Sequence, residues 1–520
     1  MSARGRRPGT ARRHGRDRRA EVLLPEPGRA RFAGDAPSAA VVGGGIAGLA
    51  AATALAERGV RVTLYEQCES LGGRLAGWPV QLADGSSATM SRGFHAFFRQ
   101  YYNLRGLLRR TDPGLSMLTP LPDYPLLHRN GMADGFARVP RTPPWSVLGF
   151  VALSPAFGPR DLTAMRPREA LPLLDVRVPE VYERFDGVGA EEFLRRINFP
   201  EAAHHLAFEV FSRSFFADPR ELSAAELLLM FHIYFLGSSE GLLFDVPREP
   251  FPQALWEPLA AYLGRLGAEV RTGTPVHRVR PAGGDLVVET DGAADVHQAV
   301  VLALDTEGLR HVVGSSEQLG DASWRADIAA LRTAPPFLVS RLWLNRPVRG
   351  DRAGFLGTSG FDGLDNVSVL DRWEDESARW AARTGGSVVE LHAYAVEEGA
   401  EPKEVQRRML DRLHEIYPET ADARVVDARH EWRADCPVFS VGGYRRRPPV
   451  RTPHPGVVLA GDLVRTGLPV ALMERAATSG FLAANALLAG WGVRGQVLWT
   501  VPRAGRSRVL RALAGLAARH

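Results

Sequence analysis

The stretch from Ser38 to Arg74, SAAVVGGGIAGLAAATALAERGVRVTLYEQCESLGGR, most constrains what this chain can fold into. Ser38 to Val42 reads as a buried β-strand and opens directly into Gly43-Gly44-Gly45-Ile46-Ala47-Gly48. An Ala- and Leu-rich helical pattern follows, then Gly59, then a second strand from Arg61 to Tyr65 that ends in Glu66. Each part has a physical job. Gly43 permits the tight turn, Gly45 lets the backbone approach a pyrophosphate, and Gly48 lets helix pack closely on strand. The pyrophosphate then sits beside Ala47 at a helix N-terminus, where free N–H groups and the macrodipole favour an anion. Glu66, roughly twenty residues on, can accept hydrogen bonds from ribose hydroxyls.

A glycine-rich loop alone is weak evidence. Strand before, helix after and an acid at the end of the second strand make this one strong. Gly72-Gly73-Arg74, just past the acid, favours FAD over NAD as the cofactor, since it resembles the glycine pair and arginine that in many flavoproteins pass under the flavin's phosphate and ribityl arm. Near the other end of the chain, Val457 to Ala460 reads as a strand leading into Gly461-Asp462, a further loop and a long apolar helix. That acid can bind a ribityl hydroxyl or a water on the pyrophosphate.

A chain of 520 residues is too long for one simple core and suggests two or three domains. The expected fold is α/β. A discontinuous Rossmann-type FAD-binding domain, with a parallel sheet and a β-meander, spans 37–110, 250–310 and 440–492. An α+β substrate domain spans 111–249 and 311–439. Much of the net charge of +5 lies at the ends. Residues 1–36 begin with an arginine-rich, nearly apolar-free run and read as a disordered basic tail. Residues 493–520 read as a second basic tail in which Val509, Leu510, Leu513 and Leu516 form one stripe, a candidate membrane-contact helix. From Thr111 to about Pro179 the chain is proline-rich, and extended segments and loops are expected. Helices are expected within 188–236, the last being apolar nearly all round and so buried, or against lipid or a greasy ligand. Two cysteines give no disulfide framework, and no Cys or His pair has zinc-site spacing, so no metal is expected. Arg6-Arg7 is not followed by an apolar region, and no run long enough to span a bilayer occurs. No nucleic-acid-binding module is visible.

Together the three cofactor pieces resemble the FAD-dependent amine oxidase and phytoene desaturase superfamily over about residues 37–490. Within that span, SRGFHAFFRQYYNLRGLLRRTDP (Ser91 to Pro113) is similar to the carotene desaturases, and most of all to the bacterial β-carotene desaturase/methyltransferases, the isorenieratene synthases. The resemblance implies an enzyme that dehydrogenates the β-ionone rings of β-carotene with a 1,2 methyl shift, giving aromatic end groups. It also implies that Val276 faces the adenine, that Met473 and Glu474 lie near the isoalloxazine, and that Gly93-Phe94-His95 lies across the ring system from them. The alternatives are an acyclic carotene desaturase or isomerase, a flavin amine or protoporphyrinogen oxidase, and a flavin-stabilised binding protein without turnover.

A carotene offers no charge and no useful hydrogen-bonding group, so its site must be an apolar tunnel that binds by surface burial. Candidate wall residues are Phe94, Phe97, Phe98, Tyr101, Tyr102, Phe208, Phe211, Phe215, Phe216, Phe231, Tyr234 and Phe235. His95 is the expected base by residue type and place. Glu474 and Asp245 are carboxylates that could stabilise cationic charge. The resulting cofactor-binding set is Gly43, Gly45, Ala47, Gly48, Glu66, Gly73, Arg74, Val276, Gly461, Asp462 and Met473. A bilayer-borne substrate implies a cytoplasmic protein docked peripherally on the inner face of the cytoplasmic membrane, through the C-terminal helix or the apolar segment 227–236. Oxygen or a quinone is the expected electron acceptor.

Overall fold

The computed structural model describes residues 17–204, 206, 216–507 and 510–512. Its organising element is a five-stranded sheet, in the order Glu269–Arg271, Arg61–Tyr65, Ser38–Val42, Ala299–Leu302, Val457–Leu459. Every neighbouring pair is parallel. Both faces of Ser38–Val42 and Ala299–Leu302 are covered, so these two strands are almost wholly apolar rather than alternating. The three cofactor segments, hundreds of residues apart in sequence, thus meet as neighbouring strands. A three-stranded antiparallel meander, Val276–Ala282, Asp285–Thr290 and Ala294–His297, branches from the same unit. On one face of the sheet, helix Ile46–Glu57 packs against helix Leu472–Gly490. Their contact is made by small residues, and a Cβ added at Gly480 would meet the Ala47 carbonyl oxygen at 2.1 Å.

The second unit is built on a seven-stranded sheet, in the order Val425–Arg433, Phe337–Leu344, Ser387–Ala393, Asn366–Val369, Phe355–Ser359, Leu126–His128, Ala133–Asp134. It is antiparallel except where Phe355–Ser359 meets Leu126–His128. A helical layer lies beside it, including Ala190–Arg196 and Ala224–Phe231. The second of these continues as a wider π-helical turn, His232–Leu236. A short sheet of Phe97–Phe98, Phe244–Pro247 and Leu118–Pro120 carries the chain between the two units.

Several expectations need correction. The N-terminal tail is not disordered from residue 17 onward. Glu21–Leu23 pairs with Leu498–Thr500, and the buried Asp17 binds Arg506 at 2.6 Å. The C-terminal segment is likewise part of the body at least as far as Arg506, with Leu498 and Trp499 buried. Composition misled here because each stretch finds its partner at the opposite end of the chain. The proline-rich region holds helices Trp145–Leu153 and Pro159–Ala164, the second with proline at its first turn, where the missing N–H costs nothing. Segment 227–236 is core: all but Phe231 are buried, so it cannot lie on a membrane. Residues 510–512 are helical, whereas Val509, Leu513 and Leu516 lie outside the described residues, as do Phe208, Phe211 and Phe215. Among the described residues no helix is long and apolar enough to cross a membrane.

Candidate active site

One continuous cavity of about 420 Å³ runs from the ends of the parallel strands into the second unit. Its first half is a dinucleotide cradle. Gly43 leaves the strand with φ +109°, where a Cβ would stand 2.3 Å from the Ala303 carbonyl oxygen. Gly48 is forced for a different reason: a Cβ there would meet the Gly43 carbonyl oxygen at 1.9 Å. At Gly45 the nearest atom to a Cβ would be Gly73 Cα at 3.9 Å, so room for a ligand is left above the helix N-terminus. Glu66 is fixed by accepting from the Gly44 and Cys68 amides at 2.7 and 2.9 Å. Its carboxylate still lines the cavity and has lone pairs left for hydroxyl donors.

Gly43, Gly45, Ala47, Glu66, Gly73, Arg74, Val276, Gly461, Asp462 and Met473 all line this cavity. Gly48 does not; it acts one step back, through the packing just described. Arg74 and Asp462, 388 positions apart, form an ion pair at 2.5 Å and tie the glycine pair to the C-terminal loop. Ser479 completes that loop, accepting from the Gly461 amide at 2.9 Å and donating to its carbonyl at 3.0 Å. An open glycine cradle, a helix N-terminus and an acid after the second strand are the donor and acceptor set that FAD requires, so the residues fit that group.

The other half of the cavity is aromatic. Phe94, Phe98, Tyr101, Phe216, Tyr234 and Phe235 line it, as the sequence suggested. Phe97 and Tyr102 are instead core, and Phe231 stacks behind Phe235. Tyr124, Phe136, Phe244, Phe337, Phe355 and Tyr394 complete the wall and went unnoticed in the sequence. Ring contacts are close: Phe94 stacks on Phe355 with centroids 4.2 Å apart, and Phe98 meets Tyr234 at 4.7 Å.

Of the three catalytic candidates, only His95 reaches the cavity. Burial pushes its pKa down to about 4, so the ring is neutral near pH 7. Its Nδ1 lies 2.9 Å from the Gly93 carbonyl, which makes Nδ1 the protonated nitrogen. Glu474 is a correction. It is buried away from the cavity, and its two oxygens accept the Asn103 and Leu104 amides, each at 2.9 Å, capping helix Tyr102–Leu108. Asp245 is the second correction. It is buried on strand Phe244–Pro247 and neutralised by Arg99 at 3.1 Å and Arg105 at 2.6 Å. The sequence showed both carboxylates but not their partners. Polar residues that do reach the aromatic half are His392, Asn366 and Asp365, with the phenol of Tyr394.

Residues 46–488 match the family described as flavin containing amine oxidoreductase. The chain belongs to that family. As a member it is an FAD-dependent oxidoreductase. Among curated proteins it is 72% identical to a carotenoid phi-ring synthase of Streptomyces griseus, over 98% of this chain and 99% of the relative. A carotenoid phi-ring synthase of Chlorobaculum tepidum is 28% identical, over 90% of this chain and 91% of its own. Among solved structures, wild-type putrescine oxidase bound to putrescine matches with a TM-score of 0.64 at 17% identity, covering 88% of this chain and 99% of that one. Cyclohexylamine oxidase from Brevibacterium oxydans matches with a TM-score of 0.63 at 17% identity, covering 88% of this chain and all (100%) of its own. At such identities the solved structures speak to the fold alone. The two solved structures share the fold of this chain over most of its length.

Proposed function

We propose that this flavoprotein acts on a carotenoid, and that it converts the β-ionone ring of β-carotene into an aromatic end group by two dehydrogenations and a 1,2 methyl shift. The observation that carries this reading is the aromatic half of the cavity, continuous with the FAD cradle. A hydrocarbon ring gains affinity there only through burial, at about 25 cal/mol per Å² of apolar surface. Aromatic faces also favour the cationic charge that hydride loss leaves on a polyene. The 72% identity with a carotenoid phi-ring synthase over nearly the whole chain supports the same substrate class.

Bound FAD supplies the hydride acceptor. The chain's own residues do the rest. Gly45 and the N-terminus of helix Ile46–Glu57 hold the pyrophosphate, Glu66 the ribose, and Asp462, paired to Arg74, the ribityl arm. Stacked Phe94 and Phe355 orient the ring and keep water out. The electron acceptor in this reading is oxygen or a membrane quinone.

We further propose that the protein docks on the inner face of the cytoplasmic membrane, through helix Trp145–Leu153. Trp145 is 62% exposed, Leu148 55% and Leu153 54%. From Arg138 to Arg168 five arginines accompany a single acid, Asp161, a balance suited to anionic headgroups. The helix's inner face supports the same placement. Phe150 stacks on Phe136 at 5.1 Å and meets Phe235 at 5.5 Å, and both of those rings line the cavity. One short helix therefore separates the exposed apolar surface from the substrate space.

The deciding experiment is expression in a host that accumulates β-carotene, with pigments resolved by chromatography and mass spectrometry. Carotenes with aromatic end groups are expected. Unchanged β-carotene beside converted acyclic precursors would overturn the ring reading in favour of acyclic desaturation.

A further inference from the structure

Behind the aromatic wall lies a chain of polar groups outside the dinucleotide cradle described above. Arg341 and Glu390 are register partners on the paired strands Phe337–Leu344 and Ser387–Ala393. Glu390 Oε2 accepts from Arg341 Nε at 2.9 Å and from its Nη2 at 2.7 Å. Both side chains are buried. Burial raises the Glu390 pKa, but Arg341 and His392 outweigh it and hold the carboxyl down at about 2.

The protons along the chain follow from that charge. An ionised carboxylate can only accept. His392 Nε2, 3.0 Å from Glu390 Oε1, is therefore the protonated ring nitrogen, and Nδ1 is left as an acceptor. The Phe94 amide also approaches Nε2, at 3.3 Å, a longer contact than the charge-assisted one. Tyr394 Oη lies 2.8 Å from His392 Nδ1 and accepts from Asn366 Nδ2 at 3.0 Å. The phenol proton is thus directed at the imidazole. His392, Asn366 and Tyr394 line the cavity, with Glu390 and Arg341 behind them.

We propose that Tyr394, backed by His392 and Glu390, is the base that removes the ring proton during dehydrogenation. The inference rests on the ring-dehydrogenation reading. With FAD bound as hydride acceptor, loss of a hydride from the ring would leave a cation with an acidic neighbouring C–H. That bond breaks, and its electron pair becomes the new ring double bond. The proton passes to Tyr394 Oη as the phenol's own proton moves to His392 Nδ1. The imidazolium so formed sits against ionised Glu390. A buried carboxylate that fixes a histidine tautomer and supports its charge is the logic of a catalytic triad, with a phenol in the place of the hydroxyl nucleophile. His95 lacks such a carboxylate: its Nδ1 is spent on a neutral carbonyl.

The test uses FAD-loaded protein and β-carotene in phospholipid vesicles, comparing wild type with Tyr394→Phe and His392→Gln. Tyr394→Phe keeps the ring that packs edge-on against Phe216. It is expected to lower kcat by about 10²- to 10⁴-fold, with KM changed by less than about threefold. FAD content and the shift of the carotenoid absorption band on binding are expected to stay at wild-type values. His392→Gln is expected to lower kcat in the same direction. Wild-type kcat in Tyr394→Phe would overturn the proposal. So would a loss of carotene binding in proportion to activity, which would make the residue a wall only. Wild-type protein that leaves β-carotene unchanged would instead remove the ring reading, and this proposal with it.

Discussion

The same substitution at two places on helix Leu472–Gly490 is expected to have opposite signs. Gly490 is exposed, and a Cβ there would meet nothing within 4 Å. Gly490→Ala therefore shows only the backbone effect and is expected to stabilise by about 0.5–1 kcal/mol. Gly480 faces helix Ile46–Glu57. A Cβ there would stand 2.1 Å from the Ala47 carbonyl oxygen and 3.0 Å from Ala50 Cβ. Non-bonded heavy atoms are comfortable near about 3.5 Å, so the contact would have to open by about 1.4 Å. A gap of only about 0.5–1 Å already forfeits a quarter to a half of the dispersion energy across the seam, where Gly480 faces Ala47 and Ala50. Set against a helix-propensity gain of about 1 kcal/mol, overpacking and lost contact leave Gly480→Ala destabilised by about 2–4 kcal/mol. Because Ala47 also lines the pyrophosphate cradle, FAD should bind more weakly in the same variant. Denaturant unfolding of both variants, with flavin stoichiometry, measures the two effects. Stabilities within about 0.5 kcal/mol of each other would refute the packing argument.

Glu226 is buried between Arg447 at 2.5 Å and Arg475 at 2.8 Å and accepts the Tyr182 hydroxyl at 3.0 Å. Glu226→Gln leaves two buried guanidinium groups short of charge and should cost about 3–5 kcal/mol in denaturant unfolding; a loss below about 1 kcal/mol would contradict it. Burial pushes Glu474 up to about 8 from 4.5, against the pull of the Leu104 and Asn103 amides. Between those values the folded protein keeps a proton that the unfolded chain releases, so stability falls as pH rises, by about 1.4 kcal/mol per unit from this group. Glu474→Gln should flatten that slope in unfolding measured across the window, and turnover should stay within about threefold, since the side chain caps a helix outside the cavity. A triple variant, Trp145→Ser, Leu148→Ser and Leu153→Ser, should lose co-sedimentation with anionic vesicles while keeping its FAD. Unchanged sedimentation would move the membrane contact elsewhere.

The cofactor half of the site was legible because it is local. Gly43 to Gly48, Glu66 and Gly72 to Arg74 fall within one strand–helix–strand unit, and the fold needs only to close it with Gly461-Asp462. Sheet order then brings the distant pieces together, as any parallel sheet with crossover connections must. The substrate half was illegible for the opposite reason. Phe337 and Phe355 begin strands that read as ordinary core, Tyr394 directly follows another, and the seven-stranded sheet gathers them. Carboxylates misled because a charge in sequence carries no sign of its partner: Glu474 is consumed by two amides and Asp245 by two arginines. One signal was available. Strand Phe337–Leu344 carries Arg341 amid apolar residues, and strand Ser387–Ala393 carries Glu390 and His392 two positions apart, hence on one face. Charged groups in fully buried strands must pair or titrate. Two such strands in one chain, with opposite charges, imply that they are neighbours and that the histidine shares their ion pair. That inference needs no alignment, and it leads directly to a polar chain that enters the aromatic half of the cavity.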